Sequence, residues 1–513
     1  MPDFDNNAVI ATFLVYLALM LGIGIWAYRS TKSSSGYFLG GRTLGPWPAA
    51  LSAGASDMSG WLLLGLPGFA FLSGLESLWL AGGLLLGTWL NWLLVARRLR
   101  AYTYAADDAL TIPEFFANRF GDPRHILQAV AAFFVLLFFL FYTSSGLVAA
   151  GKLFETVFGF DYELAVVVGT LFVVSYTLFG GFLAVSWTDL VQGLLMAAAL
   201  LIVPVMAISA DGGVGPLVST LTNHNPELLT LWRDNTGEAL SVIAIVSLAA
   251  WGLGYFGQPH ILARFAGIRS TADVPMARRI AVSWTALSMG GAVLVGLAGA
   301  AWIQTNAGGE LGDAETIFMV LVNALFHPVI AGVLLAAILA AIMSTADSQL
   351  LVSSSALAED FYRKLLRPQA AQWEIVAVGR LAVVVLALIA LLLAFDPEST
   401  VLGLVGYAWA GFGAAFGPVL VLSLYWRRMN WAGALAGVIV GGVTVVVYKQ
   451  LSGGPFGIFE LYEIVPGVLF ATLAIVAASL LTAAPAPAVS GGFDRFRAGL
   501  MKARAGERAA VAG

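Results

Sequence analysis

The 513 residues are 59% hydrophobic and only 11% charged, with a net formal charge of −4 and a mean hydropathy of +0.88. Soluble domains are nearer half apolar and a quarter charged, so the solvent around this chain is lipid. No basic stripe recommends a nucleic-acid partner, and with no cysteine there is no disulfide framework, thiol nucleophile or cysteine-rich metal site.

Apolar runs of about 20 residues recur along the chain without period-two alternation, which predicts helices rather than a barrel. The first, 8–28, follows a start with no Lys or Arg and reads as a retained span rather than a signal peptide. Further spans are expected at 47–72, 76–96, 126–155, 163–182, 184–208, 239–265 and 280–304. A long run at 316–355 combines an external approach with one crossing, and 374–395, 401–425, 430–449 and 464–483 complete about 13 crossings.

An odd count places the termini on opposite sides. One alternate set of loops holds most of the 26 Lys and Arg, including Lys32, Arg42, Arg97, Arg98, Arg100, Arg264 and Arg269. The other holds only Lys152, Arg233 and Lys449, among acids such as Glu310, Asp313 and Glu315. The positive-inside rule makes the first set cytoplasmic, with the N-terminus outside and the C-terminus inside a cell (inner) membrane. The Ala-, Gly-, Pro- and Arg-rich end, 485–513, is expected to be a disordered or frayed basic cytoplasmic tail.

Two spans are poor helices. The second contains Leu51-Ser-Ala-Gly-Ala-Ser-Asp-Met-Ser-Gly-Trp61, then Gly65, Pro67 and Gly68. The seventh contains Trp251-Gly-Leu-Gly-Tyr-Phe-Gly-Gln-Pro-His260. Glycine costs a helix about 1 kcal/mol and proline deletes a hydrogen bond, so both should unwind near the midplane, tolerable in lipid only where the freed groups line a cavity. Each opens a block of five crossings, 46–210 and 239–428, separated by an external loop 211–238. They are preceded by one extra helix in 1–45 and followed by two in 429–484. Paired broken helices in inverted repeats point to a transporter's central site, where half-helix N-termini suit a carboxylate and freed carbonyls a small cation.

Few polar residues remain inside. Asp57 sits in the first break, where an ionised carboxylate is costly, and is a functional candidate with an internal helix cap as the alternative. Ser344 and Thr345 offer adjacent hydroxyls for a sodium shell, a weak signal alone because such groups bond back to their own helix. Asp189, at the inner end of the sixth span, is a coupling candidate with pairing to a cytoplasmic Arg as the alternative. Tyr142, Trp61, Trp251 and Tyr255 are aromatic candidates for a pocket. Trp251 and Tyr255 stand out, being four apart on one face beside the break, with ring faces suited to a cationic secondary amine.

Ser56-Asp-Met-Ser-Gly-Trp-Leu-Leu-Leu-Gly-Leu-Pro-Gly68, Trp251 to His260 and Ala340-Ala-Ile-Met-Ser-Thr345 resemble the sodium/solute symporter family, and within it the sodium/proline symporters, over about 8–480. The resemblance implies an all-α polytopic membrane protein with a LeuT-like inverted repeat of two five-helix units. It implies a sodium site from the carbonyls of Ala55, Met58 and Ala341 and the hydroxyls of Ser344 and Thr345, with Asp57 required nearby. It also implies proline contacts from Ser59, Gly60, Tyr142, Trp251, Tyr255 and Pro259, and an external gate at Leu402. The expected activity is sodium-coupled import of L-proline by alternating access, with no cofactor beyond the coupling ion, no enzymatic step and a monomer sufficient. Alternatives are another solute on the same fold (another amino acid, a sugar, pantothenate or a carboxylate) or a solute sensor.

Overall fold

The computed structural model describes residues 6–30, 39–306, 311–396 and 399–512, so Lys32 and Glu310 of the loop-charge pattern lie outside the described residues. The helices, in order, are α1 (Asn6–Ser30), α2 (Pro46–Met58), α3 (Gly65–Ser73), α4 (Ser77–Asn91), α5 (Arg97–Ala105), α6 (Ile112–Phe120), α7 (Ile126–Phe158), α8 (Tyr162–Ala210), α9 (Val214–His224), α10 (Val242–Ala249), α11 (Pro259–Gly267) and α12 (Val274–Asn306). They continue with α13 (Ile317–Leu325), α14 (Pro328–Ser355), α15 (Gln372–Ala394), α16 (Val401–Tyr425), α17 (Trp431–Tyr448), α18 (Ile464–Leu481) and α19 (Pro487–Ala512). Among the described residues the extended pairing is confined to two isolated bridges, Leu44 with Ile268 and Arg233 with Ala239.

Among the described residues ten helices are long and apolar enough to cross a bilayer, eleven when the bent pair Val242–Gly257 and Pro259–Gly267 (46°) is one span, rather than the thirteen expected. The difference arises where the chain breaks. Gly60–Ala105 counts as one run although it turns at Gly74 (φ 61°), while α2 stops at Ser59 and so falls short by itself. Tyr162–Val174 is cut short in the same way before Gly181 (φ 69°), where α8 divides into two limbs.

The core is organised around α14, buried on every side from Leu334 to Leu351. A helix apolar all round belongs at the centre of a membrane bundle, and its few polar residues then face neighbouring helices. α14 packs against α2, α7, α8 and α1, and α16 packs against α7 and the segment 250–257. Apolar side chains that point outward, such as Val15, Leu171 and Leu392, make the lipid-facing surface. The second break is compact rather than unwound: residues 250–257 continue α10 as a 3₁₀ helix, and the bend falls at Gln258, with Pro259 starting α11. This stretch lies close against α4, since a Cβ on Gly87 would meet the Gly252 carbonyl at 2.2 Å.

The tail departs from the expectation of disorder. α19 rests on α5 and α6, with Phe493, Phe496 and Leu500 buried and Asp494 bonded to Arg427 at 2.9 Å. Its apolar residues recur at helical spacing (493, 496, 500), a short stripe diluted by glycine and alanine in the sequence.

Candidate functional site

The first break turns on one residue. Ser59 ends α2 with φ 40°, a conformation L-residues adopt only when their surroundings enforce it. Two bonds hold it: its N–H donates to Thr345 Oγ1 at 2.9 Å, and its Oγ accepts the Trp61 N–H at 3.3 Å. A Cβ on Gly60 would stand 2.6 Å from Ala149 Cβ and 3.4 Å from Ile342, so the turn presses between α7 and α14 and admits no larger residue. Trp61 is buried beside it.

Oxygen atoms gather across this break. Ser344 Oγ donates to the carbonyls of Ala55 at 2.8 Å and Ala341 at 3.1 Å, and Thr345 Oγ1 to the Ala55 carbonyl at 3.3 Å. Four of the five expected sodium donors are thus mutually bonded. The fifth, the Met58 carbonyl, shares a trans peptide with the Ser59 N–H that points at Thr345, so it faces the other way. Nothing in the sequence disclosed that orientation. Hydroxyls and carbonyls at this spacing are the donors a small hard cation takes up, by turning the hydroxyl protons outward.

Asp57 lies two residues beyond Ala55 on α2 and is 1% exposed. Its Oδ2 accepts the Tyr255 hydroxyl at 2.6 Å, and its Oδ1 has no hydrogen-bond partner among the described residues. Its carboxylate therefore joins the two broken helices and does not cap α2. The Tyr142 hydroxyl donates to the Asp57 carbonyl at 2.7 Å, which brings α7 to the same point.

The aromatic candidates divide. Tyr142 and Tyr255 meet at Asp57, whereas Trp251 stacks on Tyr462 at 5.3 Å and 23° and is 9% exposed. Pro259 sits apart from them, lining a narrow cavity with Thr103, Thr111 and Leu351. Three carbonyls of the second break are taken by side chains: Trp251 by Trp409 Nε1 at 2.6 Å, Gly254 by Gln258 at 3.2 Å, and Tyr255 by Asn91 at 2.9 Å. Trp409, edge-on to Tyr255 at 5.0 Å, is the residue that sequence reading missed. An indole in the apolar stretch of α16 looks like packing until its N–H partner is known. His260 also differs from a satisfied core histidine. Fully buried, it packs edge-on against Phe139 and Tyr142 while both ring nitrogens lack partners among the described residues.

Leu402 stands in the first turn of α16. A Cβ on Gly65 would lie 3.3 Å from its Cβ, so it closes onto the start of α3. The N–H groups of Val401 and Leu402, free donors of the first turn of α16, both go to Glu315 at 3.2 Å, and Lys152 pairs with Glu315 at 2.7 Å and Asp313 at 2.6 Å. These three residues counted only as loop charges in the sequence.

Asp189 lies on the second limb of α8. It pairs with Arg264 at 3.2 Å and accepts the Ser52 hydroxyl at 2.6 Å, so its partner is an arginine, as the alternative reading had it. That arginine is not a loop residue: Arg264 is fully buried on α11 and also donates to Ser348 at 2.5 Å and the His260 carbonyl at 3.0 Å. Arg264 thus carries no topological information.

Residues 37–441 match the model of the sodium:solute symporter family. The chain belongs to this family. It is 50% identical over 478 residues to the high-affinity proline transporter PutP of Bacillus subtilis (strain 168), covering 93% of this chain and 99% of that protein. It is 51% identical over 487 residues to the sodium/proline symporter of Escherichia coli (strain K12), covering 94% and 95%. Among solved structures, the substrate-bound outward-open state of a Na+-coupled sialic acid symporter superposes with a TM-score of 0.77 at 21% identity, over 93% of this chain and 98% of that one. At that identity the likeness concerns the fold, which is the LeuT-like one. The chain is a multi-pass membrane protein of a transporter family.

Proposed function

We propose that this chain is a sodium-coupled symporter that imports L-proline by alternating access. The observation that carries the reading is the meeting of Ser344 and Thr345 of α14 with the Ala55 carbonyl of α2, two residues from Asp57. The half-identical relatives named for sodium and proline supply the solute. Sodium from outside engages Ala55, Ala341, Ser344 and Thr345, while the Met58 carbonyl stays turned away because the Ser59 N–H of the same peptide is held by Thr345. Asp57 supplies the compensating charge. Filling this site fastens α2 to α14 and fixes the Ser59 turn, and with it the Ser59 hydroxyl and the Gly60 N–H that meet the substrate carboxylate. Tyr142, Trp61, Trp251 and Tyr255 shape the remainder for a small cationic ring. Pro259 hinges the inner half of the seventh span, Leu402 closes the outer side, and Asp189 acts through Arg264 at the inner side.

In this reading 46–210 and 239–428 are the inverted repeats, the N-terminus is outside and the C-terminus cytoplasmic in the cell membrane, and one chain carries the complete site. One charge crossing about 100 mV is worth about 2.3 kcal/mol and a tenfold sodium gradient about 1.4 kcal/mol. Together they sustain a several-hundredfold proline gradient at one sodium per proline.

The test is radiolabelled proline uptake into proteoliposomes under an inward sodium gradient, with potassium-only controls and Asp57→Ala. Sodium-dependent accumulation that collapses in the variant is the expected result. Background uptake by a protein that sodium still stabilises against heat overturns the solute while sparing the ion site.

A further inference from the structure

The cytoplasmic face carries a cleft that transport leaves unused. It lies between α5, the loop that follows α11, and the tail helix α19, and has a volume of about 430 Å³. Three arginines from these three segments line it, Arg100, Arg269 and Arg495, together with the hydroxyl-bearing Tyr104, Ser270 and Thr271.

The tail is seated there by shape. Phe496 stacks on Tyr102 at 4.1 Å and 6°, and Phe493 meets the same ring edge-on at 6.2 Å. Two of the guanidinium groups are oriented by partial engagement: Arg100 donates to the carbonyls of Ile268 at 2.5 Å and Arg269 at 3.3 Å, and Arg269 pairs with Asp273 at 2.7 Å. Arg495 is exposed and has no hydrogen bond or ion pair among the described residues. Of the other nearby acids, Asp494 is turned to Arg427 and Asp108 to Arg42, and among the described residues no carboxylate lines the cleft. Gly499 keeps the space open, for a Cβ there would meet nothing within 4 Å.

Three guanidinium groups against one paired carboxylate leave net positive charge around a cavity of headgroup size. Planar guanidinium forks match the oxygens of a phosphoryl group two at a time, and three forks converging from three segments suit an anion with more than the two oxygens of a carboxylate. We propose that this cleft binds a phosphoryl anion, from an anionic lipid headgroup or from free inorganic phosphate, and thereby fastens the tail helix to the cytoplasmic face.

The experiment is hydrogen–deuterium exchange of residues 487–501 in the full-length protein, in nanodiscs of phosphatidylcholine alone, of phosphatidylcholine with phosphatidylglycerol, and of phosphatidylcholine with added inorganic phosphate. At a ligand level about ten times its dissociation constant, exchange of the tail slows about tenfold. Slowing by phosphatidylglycerol assigns the lipid source, and slowing by phosphate the free ion. Arg495→Gln abolishes the slowing, whereas Arg497→Gln, an equal loss of charge at an exposed position of the same helix outside the cleft, retains it. Tail exchange indifferent to both ligands, or an equal loss in both variants, overturns the proposal.

Discussion

Thr345→Val tests the central geometry with little change of shape, since a methyl replaces a hydroxyl of similar volume. Two things go at once: one oxygen of the sodium set, and the acceptor of the Ser59 N–H, bonded at 2.9 Å in the wild type. A buried donor left unpaired costs about 1–3 kcal/mol. Here the cost falls on a residue already held at φ 40°, so the turn itself loosens. Because sodium binds the ordered turn, that free energy appears as weaker sodium affinity. About 1.4–2.8 kcal/mol corresponds to a rise of about ten- to a hundredfold in the sodium concentration for half-maximal uptake. Coupling is reciprocal, so the apparent proline affinity at fixed, subsaturating sodium falls in parallel. The assay is a sodium titration of proline uptake in proteoliposomes, with Thr345→Ser, which keeps the oxygen, within about threefold of wild type. Unchanged sodium dependence in the valine variant, or an equal defect in the serine variant, refutes the role of that hydroxyl.

Asp57→Asn retains an acceptor for Tyr255 and removes the charge. Sodium at a hundredfold excess over its dissociation constant stabilises the wild type by about 2.7 kcal/mol, and a thermal-shift titration should find this lost in the variant. Lys152→Met leaves Glu315, 9% exposed at its side chain, without its cation. The expected loss is about 3 kcal/mol of stability by denaturation in detergent, together with faster thiol labelling of a Leu402→Cys reporter in this cysteine-free chain. Gly87→Ala drives a methyl into the Gly252 carbonyl 2.2 Å away. Backbone on both sides has nowhere to go, so a loss of about 2 kcal/mol or more is expected as reduced folded yield on size exclusion.

Both breaks were legible because glycine, proline and small polar residues have no business at a bilayer centre unless the chain bends there. Their forms were not. Ser59 rather than one of the flanking glycines takes the left-handed turn, because the acceptor that enforces it comes from Thr345, 286 positions away. The seventh span stays helical to Gly257 because Trp409, Gln258 and Asn91 absorb its spare carbonyls, and such pairings leave no periodic trace. Charge counting found the loop asymmetry yet treated Arg264 like any other arginine, since sequence alone does not separate a solvated cation from one buried against Asp189. The tail misled for the opposite reason: three apolar residues are too few to register as a stripe, but two of them find an aromatic ring already in place at Tyr102.

The bridge between Leu44 and Ile268 joins the chain just before α2 to the chain just after α11, through Leu44 N–H to the Gly267 carbonyl at 3.2 Å and Arg269 N–H to the Leu44 carbonyl at 2.9 Å. The start of one broken span and the end of the other are therefore clasped by peptide groups, which every residue but proline supplies in full. Such a clasp tolerates almost any side-chain change at these positions, and its strength is fixed by backbone geometry rather than by charge or salt. Leu44→Pro and Arg269→Pro, each deleting one donor, are the substitutions that would release it.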